Sequence, residues 1–226
     1  MAFEEREPTE RLAYVTSEER EPTERLAYVA FEGCEPTERL AYVDFCGTFV
    51  DKVDEMSVPF RVGLGFDTHC LGNGGPIRIG GIDVPSEVHA IGHSDADVLL
   101  HAITDALLGS VAEPDIGRLF PDTADENRGR NSEDFLLEAV RRVRASGHEI
   151  GNVDCVILAQ QPKFAPYIDR MRSRIAEVLD IPVENVGLKA KTGEGVGPIG
   201  HAEAIAARCV TLIYRTTGQS TAVPPQ

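Results

Sequence analysis

The sequence predicts an α+β fold, one sheet covered by helices on at least one face, and three observations carry that reading. Strand-like and helix-like segments interleave from residue 58 onward. Apolar residues recur with the two-residue period of strands in some segments and with the helical period in others. The 226 residues are enough to bury one core without disulfide or metal staples.

In chain order, Pro59-Phe60-Arg61-Val62-Gly63-Leu64-Gly65-Phe66 alternates like a strand, and the stretch from Ile77 to Ile82 predicts a short second one. A strong helix is expected from Ser94 to Leu108. Ser94 and Asp97 form its S-x-x-D start signal, and Gly109 closes it. A second helix is expected from about Ser132 to Ser146, stopping at Gly147. Asn152 to Ala159 predicts a buried strand, Pro166 to Leu179 an amphipathic helix, and Val186 to Lys191 another strand. Ile205 to Tyr214 is β-branched toward its end and predicts the last strand, although Ala204 to Arg208 could pass for helix. From Thr216 the chain is rich in Thr, Ser and Pro and is expected to be loose.

Before residue 58 the texture differs. Glu-Pro-Thr-Glu-Arg-Leu-Ala-Tyr-Val occurs at 7–15, 21–29 and 35–43, a period of 14. That is shorter than solenoid repeats of roughly 20–50 residues, and Pro8, Pro22 and Pro36 interrupt any long helix. Each copy holds few apolar residues to offset the entropy of ordering it, so residues 1–57 are expected to form a disordered extension. A repeated partner-binding motif built on Leu12/Tyr14, Leu26/Tyr28 and Leu40/Tyr42 is the competing expectation. Met56 directly precedes the first strand-like stretch and is a candidate translation start.

Charge excludes some functions. The net charge is −15, with 22 Lys+Arg against 37 Asp+Glu and no basic cluster, which argues against nucleic acid. No apolar run approaches the ~20 residues of a membrane span. The start of the chain has neither a signal peptide's apolar stretch nor a transit peptide's lack of acids. Five widely spaced cysteines (Cys34, Cys46, Cys70, Cys155, Cys209) with no C-x-x-C read as free thiols, and the expected location is cytoplasmic.

The chemistry-bearing residues are Asp67, His69 and His101. Asp-x-His at the end of a strand puts both side chains on one face, and His101 stands inside the predicted helix. One carboxylate and two imidazoles suit zinc and leave a fourth position open. Asp97, His101 and Asp105 are spaced i, i+4, i+8, which offers a carboxylate beside the histidine to fix its tautomer. The same residues could instead be a turn cap and two ordinary polar histidines. His93-Ser94 at the helix start suggests an anion site at its free amides, and Ser94 also reads as a plain N-cap. Pro114-Asp115-Ile116-Gly117 and Phe120-Pro121-Asp122-Thr123 have turn chemistry, and Lys191-Thr192-Gly193-Glu194-Gly195 is a glycine-rich turn after a strand.

Gly65-Phe66-Asp67-Thr68-His69, Gly92-His93-Ser94-Asp95-Ala96-Asp97-Val98, the run from His101 to Gly109, Asp115-Ile116-Gly117, Phe120-Pro121-Asp122-Thr123, Ala159-Gln160-Gln161-Pro162-Lys163 and the run from Val186 to Thr192 stand in one order. In that order they resemble the 2-C-methyl-D-erythritol 2,4-cyclodiphosphate synthase family over Phe60 to Arg215. The resemblance implies a synthase domain over 58–215, followed by the loose tail 216–226. It implies a mixed four-stranded sheet with helices on one face, three subunits packing their sheets around a central channel, and active sites between neighbours. The implied reaction belongs to the non-mevalonate isoprenoid pathway. The 2-phosphate of a cytidine diphosphate substrate, 4-diphosphocytidyl-2-C-methyl-D-erythritol 2-phosphate, attacks the β-phosphorus and releases CMP.

By the same resemblance, zinc is held by Asp67, His69 and His101, and a second divalent ion, magnesium or manganese, is held with help from Glu194. His93 and Thr192 stabilise the transition state, and Thr68 and Ser94 share the substrate contacts. Asp115, Ile116 and Gly117 meet the ribose and erythritol side, and Phe120, Pro121, Asp122, Thr123 and Ala124 line the erythritol-phosphate pocket. Ala159, Gln160, Gln161, Pro162, Lys163, Phe164 and Ala165 hold the cytidine phosphate arm, with Lys191 and Gly193 beside Thr192. Pro198 and His201 stand where many members carry Phe and Arg, the latter holding a phosphate-bearing ligand in the channel. Ala124 replaces a frequent Asp, and Gly193 interrupts a Thr-rich stretch. Two other readings compete: a zinc hydrolase using Asp97 or Asp105 as base, and a non-catalytic trimeric binding module with structural zinc.

Overall fold

The computed structural model describes residues 13–14, 27–30, 42–43, 49–50, 59–121 and 123–216. The chain divides into two units, Met1–Val58 and Pro59–Gln226. In the first, β1 (Ala13–Tyr14), β2 (Ala27–Ala30), β3 (Tyr42–Val43) and β4 (Phe49–Val50) pair antiparallel in that order. Three of these strands fall on the Ala-Tyr-Val end of a repeat copy. The expectation of disorder for the rest of 1–57, and of a loose tail beyond Thr216, lies outside the described residues.

In the second unit the long strand β5 (Phe60–Asn73) is followed by a hairpin of β6 (Ile77–Ile79) and β7 (Ile82–Val84), then β8 (Val88–Ile91). Helices α1 (Val98–Ser110), α2 (Ile116–Leu119) and α3 (Ser132–Ala145) precede β9 (His148–Leu158). After α4 (Ile168–Leu179) come β10 (Val186–Lys191), α5 (Gly197–Gly200) and β11 (Ala204–Arg215). The main sheet has the order β10-β9-β11-β5-β8, with β10 and β9 parallel and every other pair antiparallel.

The expected α+β class holds, with corrections. The sheet has five strands, not four, because Val88–Ile91 adds to the far end of β5. The single strand expected from Ile77 to Ile82 is two, since Gly80 and Gly81 both take positive φ and reverse the chain there. The first strand does not stop at Phe66 but carries Asp67 and His69 in mid-strand. The first helix starts at Val98, capped by Asp97 rather than Ser94, and Gly109 lies within it. Asp97 wins because its carboxylate reaches Leu100 N and also the hairpin amides of Gly80 and Gly81. The helix at Ser132 begins as expected and ends with Gly147 at positive φ. The last strand is β throughout.

The core lies between the sheet and α1, α3 and α4. Leu99, Ile103 and Leu107 meet Leu136, Val143, Met171 and Ile175 over Val153, Ile157, Ile205 and Ile213. Cys155 and Cys209 are directly opposed across β9 and β11 and are fully buried. A hydrogen bond donated by the Cys209 thiol to Cys155, together with burial, holds that thiol well above its ordinary range. Two glycines set the spacing of α1 on the sheet. A Cβ at Gly63 would overlap the Ala106 carbonyl oxygen, and one at Gly65 the Ala102 carbonyl oxygen. The opposite face of β5 is open, with Phe60 50%, Val62 60%, Leu64 69% and Phe66 52% exposed. Among the described residues no helix is long and apolar enough to cross a membrane.

Candidate active site

Period-two alternation turns Asp67 and His69 toward α1, and the close approach at Gly65 brings His101 onto them. Three atoms converge. Asp67 Oδ2 lies 2.9 Å from His101 Nδ1 and 3.0 Å from His69 Nε2, and the two imidazole nitrogens are 3.2 Å apart. Tetrahedral bonds of about 2.0–2.1 Å to a zinc-sized ion would hold ligand atoms roughly 3.3 Å from one another. The donor set therefore fits a divalent ion of zinc's type, and it is the cluster of candidate ligands found among the described residues.

The other end of each ligand is tied down. Asp67 Oδ1 accepts the Thr68 amide at 2.8 Å, and His69 Nδ1 donates to the Ile91 carbonyl at 3.1 Å. His101 Nε2 lies 2.8 Å from Ser132 Oγ and 3.2 Å from Ser94 Oγ. Burial alone would raise the Asp67 carboxyl, but hydrogen bonds and charge from His101 and His69 outweigh it and hold the group well below the usual carboxylate range. Burial lowers His69, yet Asp67 and the Ile91 carbonyl overcome it and leave the imidazole raised.

The triad floors a pocket of about 360 Å³, also lined by Ile91, Gly92, His93, Ser94, Ile116, Gly117, Phe120, Asn127 and Phe135. Thus eight expected site residues, Asp67, His69, His93, Ser94, His101, Ile116, Gly117 and Phe120, come together. Asp115 caps α2 through the Arg118 amide. Pro121, Thr123 and Ala124 follow Phe120 without lining the pocket, and Asp122 lies outside the described residues. Thr68 is exposed on the opposite face of the strand.

The remaining expected residues lie elsewhere on the sheet. Thr68, Ala206, Leu158 and Lys191 form one row across β5, β11, β9 and β10. Three strand spacings of about 4.8 Å separate the ends of that row, roughly 14 Å. The segments 159–165 and 191–194 continue from its β9 and β10 end. There Thr192 Oγ1 donates to Glu194 Oε1 at 2.7 Å, and Gln160 Oε1 is buried without a hydrogen-bond partner among the described residues. Lys163, Glu194, Pro198 and His201 are exposed. A Cβ at Gly193 would overlap the Gly200 backbone, which explains a glycine in this turn.

Some expectations fail here. The Leu100 amide in the first turn of α1 is taken by the buried Asp97 carboxylate and is not free for an anion. Nor does Asp97 or Asp105 hydrogen-bond to the His101 ring. Asp97 accepts three backbone amides, and Asp105 accepts Ile116 N at 2.8 Å. Burial raises both carboxyls, against those hydrogen bonds, and neither lines the pocket as a base beside the triad. Sequence reasoning missed Asp95, Ser132, Asn127 and Phe135. Asp95 and Ser132 are 37 positions apart, so no local spacing joins them.

A family model described as the YgbB family matches residues 60–214. The chain belongs to the YgbB family. Among curated relatives, a protein of Rhodopirellula baltica named 2-C-methyl-D-erythritol 2,4-cyclodiphosphate synthase is 67% identical over 156 residues, 69% of this chain and 94% of its own length. A Plasmodium falciparum IspF in complex with CDP matches with TM-score 0.63 and 32% identity, over 70% of this chain and 97% of that one. The bifunctional IspDF of Campylobacter jejuni matches with TM-score 0.67 and 36% identity, over 70% of this chain and 42% of that one. The YgbB match falls within the second structural unit and leaves the repeat copies outside it.

Proposed function

We propose that this member of the YgbB family is a lyase of non-mevalonate isoprenoid synthesis, converting 4-diphosphocytidyl-2-C-methyl-D-erythritol 2-phosphate to 2-C-methyl-D-erythritol 2,4-cyclodiphosphate and CMP. The observation that carries this reading is the convergence of Asp67, His69 and His101 at the floor of the pocket, in a chain 67% identical to a protein of that name. In the reaction an oxygen of the 2-phosphate bonds to the β-phosphorus, the bond from that phosphorus to the bridging oxygen breaks, and CMP leaves with the electron pair. No water is consumed, and such transfers depend on positioning and charge neutralisation rather than on a protein nucleophile.

Zinc held by Asp67, His69 and His101, and magnesium or manganese held by Glu194 with substrate phosphates, would supply positive charge to the phosphate oxygens. His93 and Ser94 at the pocket rim donate hydrogen bonds to a phosphate above the triad. Ile116, Gly117 and Phe120 shape the wall for the erythritol side and exclude water. The Thr192 hydroxyl, turned from Glu194 toward substrate, stabilises charge developing on the transferred phosphoryl group. Gln160 Oε1 has no protein donor among the described residues and suits an amino or hydroxyl group of the cytidine arm.

One subunit leaves these two sets of residues roughly 14 Å apart across its sheet. We therefore place the reaction between subunits of a homotrimer, whose contacts would cover the exposed Phe60, Val62, Leu64 and Phe66. The free thiols Cys70, Cys155 and Cys209 suit a reducing, cytoplasmic location. Phosphorus NMR of the purified protein with substrate, zinc and magnesium tests the reading. Appearance of CMP and a cyclic diphosphate is the expected result. Hydrolysis to open-chain products would favour the zinc hydrolase instead, and an unaltered spectrum would refute both.

A further inference from the structure

We infer that Ser132 and Asp95 are positioning residues for the triad, a hydrogen-bond relay from the start of α3 that fixes the tautomer and orientation of His101. The inference rests on reading the triad as a metal site. Ser132 Oγ lies between two partners, His101 Nε2 at 2.8 Å and Asp95 Oδ1. A carboxylate can only accept, so the single hydroxyl proton goes to Asp95 and the serine lone pairs face the ring. His101 must then carry its proton on Nε2, which leaves Nδ1 bare where it faces Asp67 Oδ2 and His69 Nε2.

Asp95 is itself held in place. It accepts the Ser132 amide at 3.2 Å and the Asp97 amide at 3.3 Å, its own amide donates to the Arg130 carbonyl at 3.1 Å, and Arg78 Nε stands 3.8 Å away. Capping does not explain the serine hydroxyl, because Asn131 already caps α3 through the Glu133 amide at 3.0 Å. Ser132 is also fully buried, so its hydroxyl does not serve solvent. For His69 a backbone carbonyl does the same work, whereas His101 Nε2 meets side-chain hydroxyls, Ser132 at 2.8 Å and Ser94 at the longer 3.2 Å, so Ser132 is the nearer one through which a substitution can release a ligand's tautomer.

The test uses the full chain. Zinc affinity, read by competition with a chromophoric chelator, should weaken about 10- to 100-fold in Ser132→Ala. The visible bands of the cobalt(II)-loaded protein should shift, while the metal-free melting temperature stays near that of the unsubstituted chain, because the Ser132 amide bond to Asp95 survives. Ser132→Thr, which keeps the hydroxyl, should recover most of the affinity. Independently of any variant, nitrogen-15 NMR of the zinc-loaded protein should show His101 protonated at Nε2. Affinity within twofold of the unsubstituted chain and unchanged cobalt bands in Ser132→Ala, or a proton on Nδ1, would overturn the relay alone. Failure of the unsubstituted chain to bind zinc would overturn the metal reading together with it.

Discussion

The triad on β5 and α1 and the turn from Lys191 to His201 are both assigned to one reaction, yet they are held in different ways. Asp67, His69 and His101 are each bonded on the side away from the cluster, to the Thr68 amide, the Ile91 carbonyl and Ser132. Thr192 is bonded to its neighbour Glu194, which is exposed, and Pro198 and His201 are exposed as well. Metal affinity depends on ligand geometry being in place beforehand, so that side is built within one chain. On the proposed reading the turn from Lys191 to His201 has no such requirement, and its residues would reach their working arrangement against substrate and a neighbouring subunit.

Substitutions at the two regions should separate them. His101→Ala removes one of the three proposed ligands, with no fourth candidate grouped beside them among the described residues. Zinc content by atomic emission should fall to background and turnover by more than about 10³-fold, with circular dichroism unchanged. Thr192→Val should retain full zinc content and slow the single-turnover rate by about 10²-fold, and an unaltered rate would reduce Thr192 to a spectator. Gly65→Ala forces a Cβ against the Ala102 carbonyl and pushes α1 from the sheet. Urea unfolding should record a loss of about 1–3 kcal/mol, and zinc should bind more weakly because His101 moves with the helix. The smallest signal is the most discriminating. Unfolding and refolding His101→Ala and Thr192→Val together should restore activity at about one site in four if neighbours each supply half a site. A mixture no more active than its parts would confine the site to one chain.

Much of this arrangement was legible in the sequence. Asp67 and His69 are joined by the strand period, and the α1 pattern put His101 on a helix, so the cluster could be foreseen from local rules and a family resemblance. The helix start was misplaced because Ser94 and Asp97 are both good caps locally. The choice fell to Asp97 through its bonds to Gly80 and Gly81, a tertiary contact across 17 and 16 positions. Val88–Ile91 is too short to announce itself without β5 to pair with. The Asp95–Ser132 contact depends on where α3 packs, which no periodicity encodes.

The opposed pair Cys155 and Cys209 gives the molecule a clock for its own opening. Both thiols are sealed between sheet and helices, while Cys70 is exposed. A thiol reagent should therefore modify Cys70 at once, and Cys155 and Cys209 only when β9 and β11 part from the helices. The slow phase would then count excursions of the core itself, on a timescale set by the stability of the whole unit rather than by any loop.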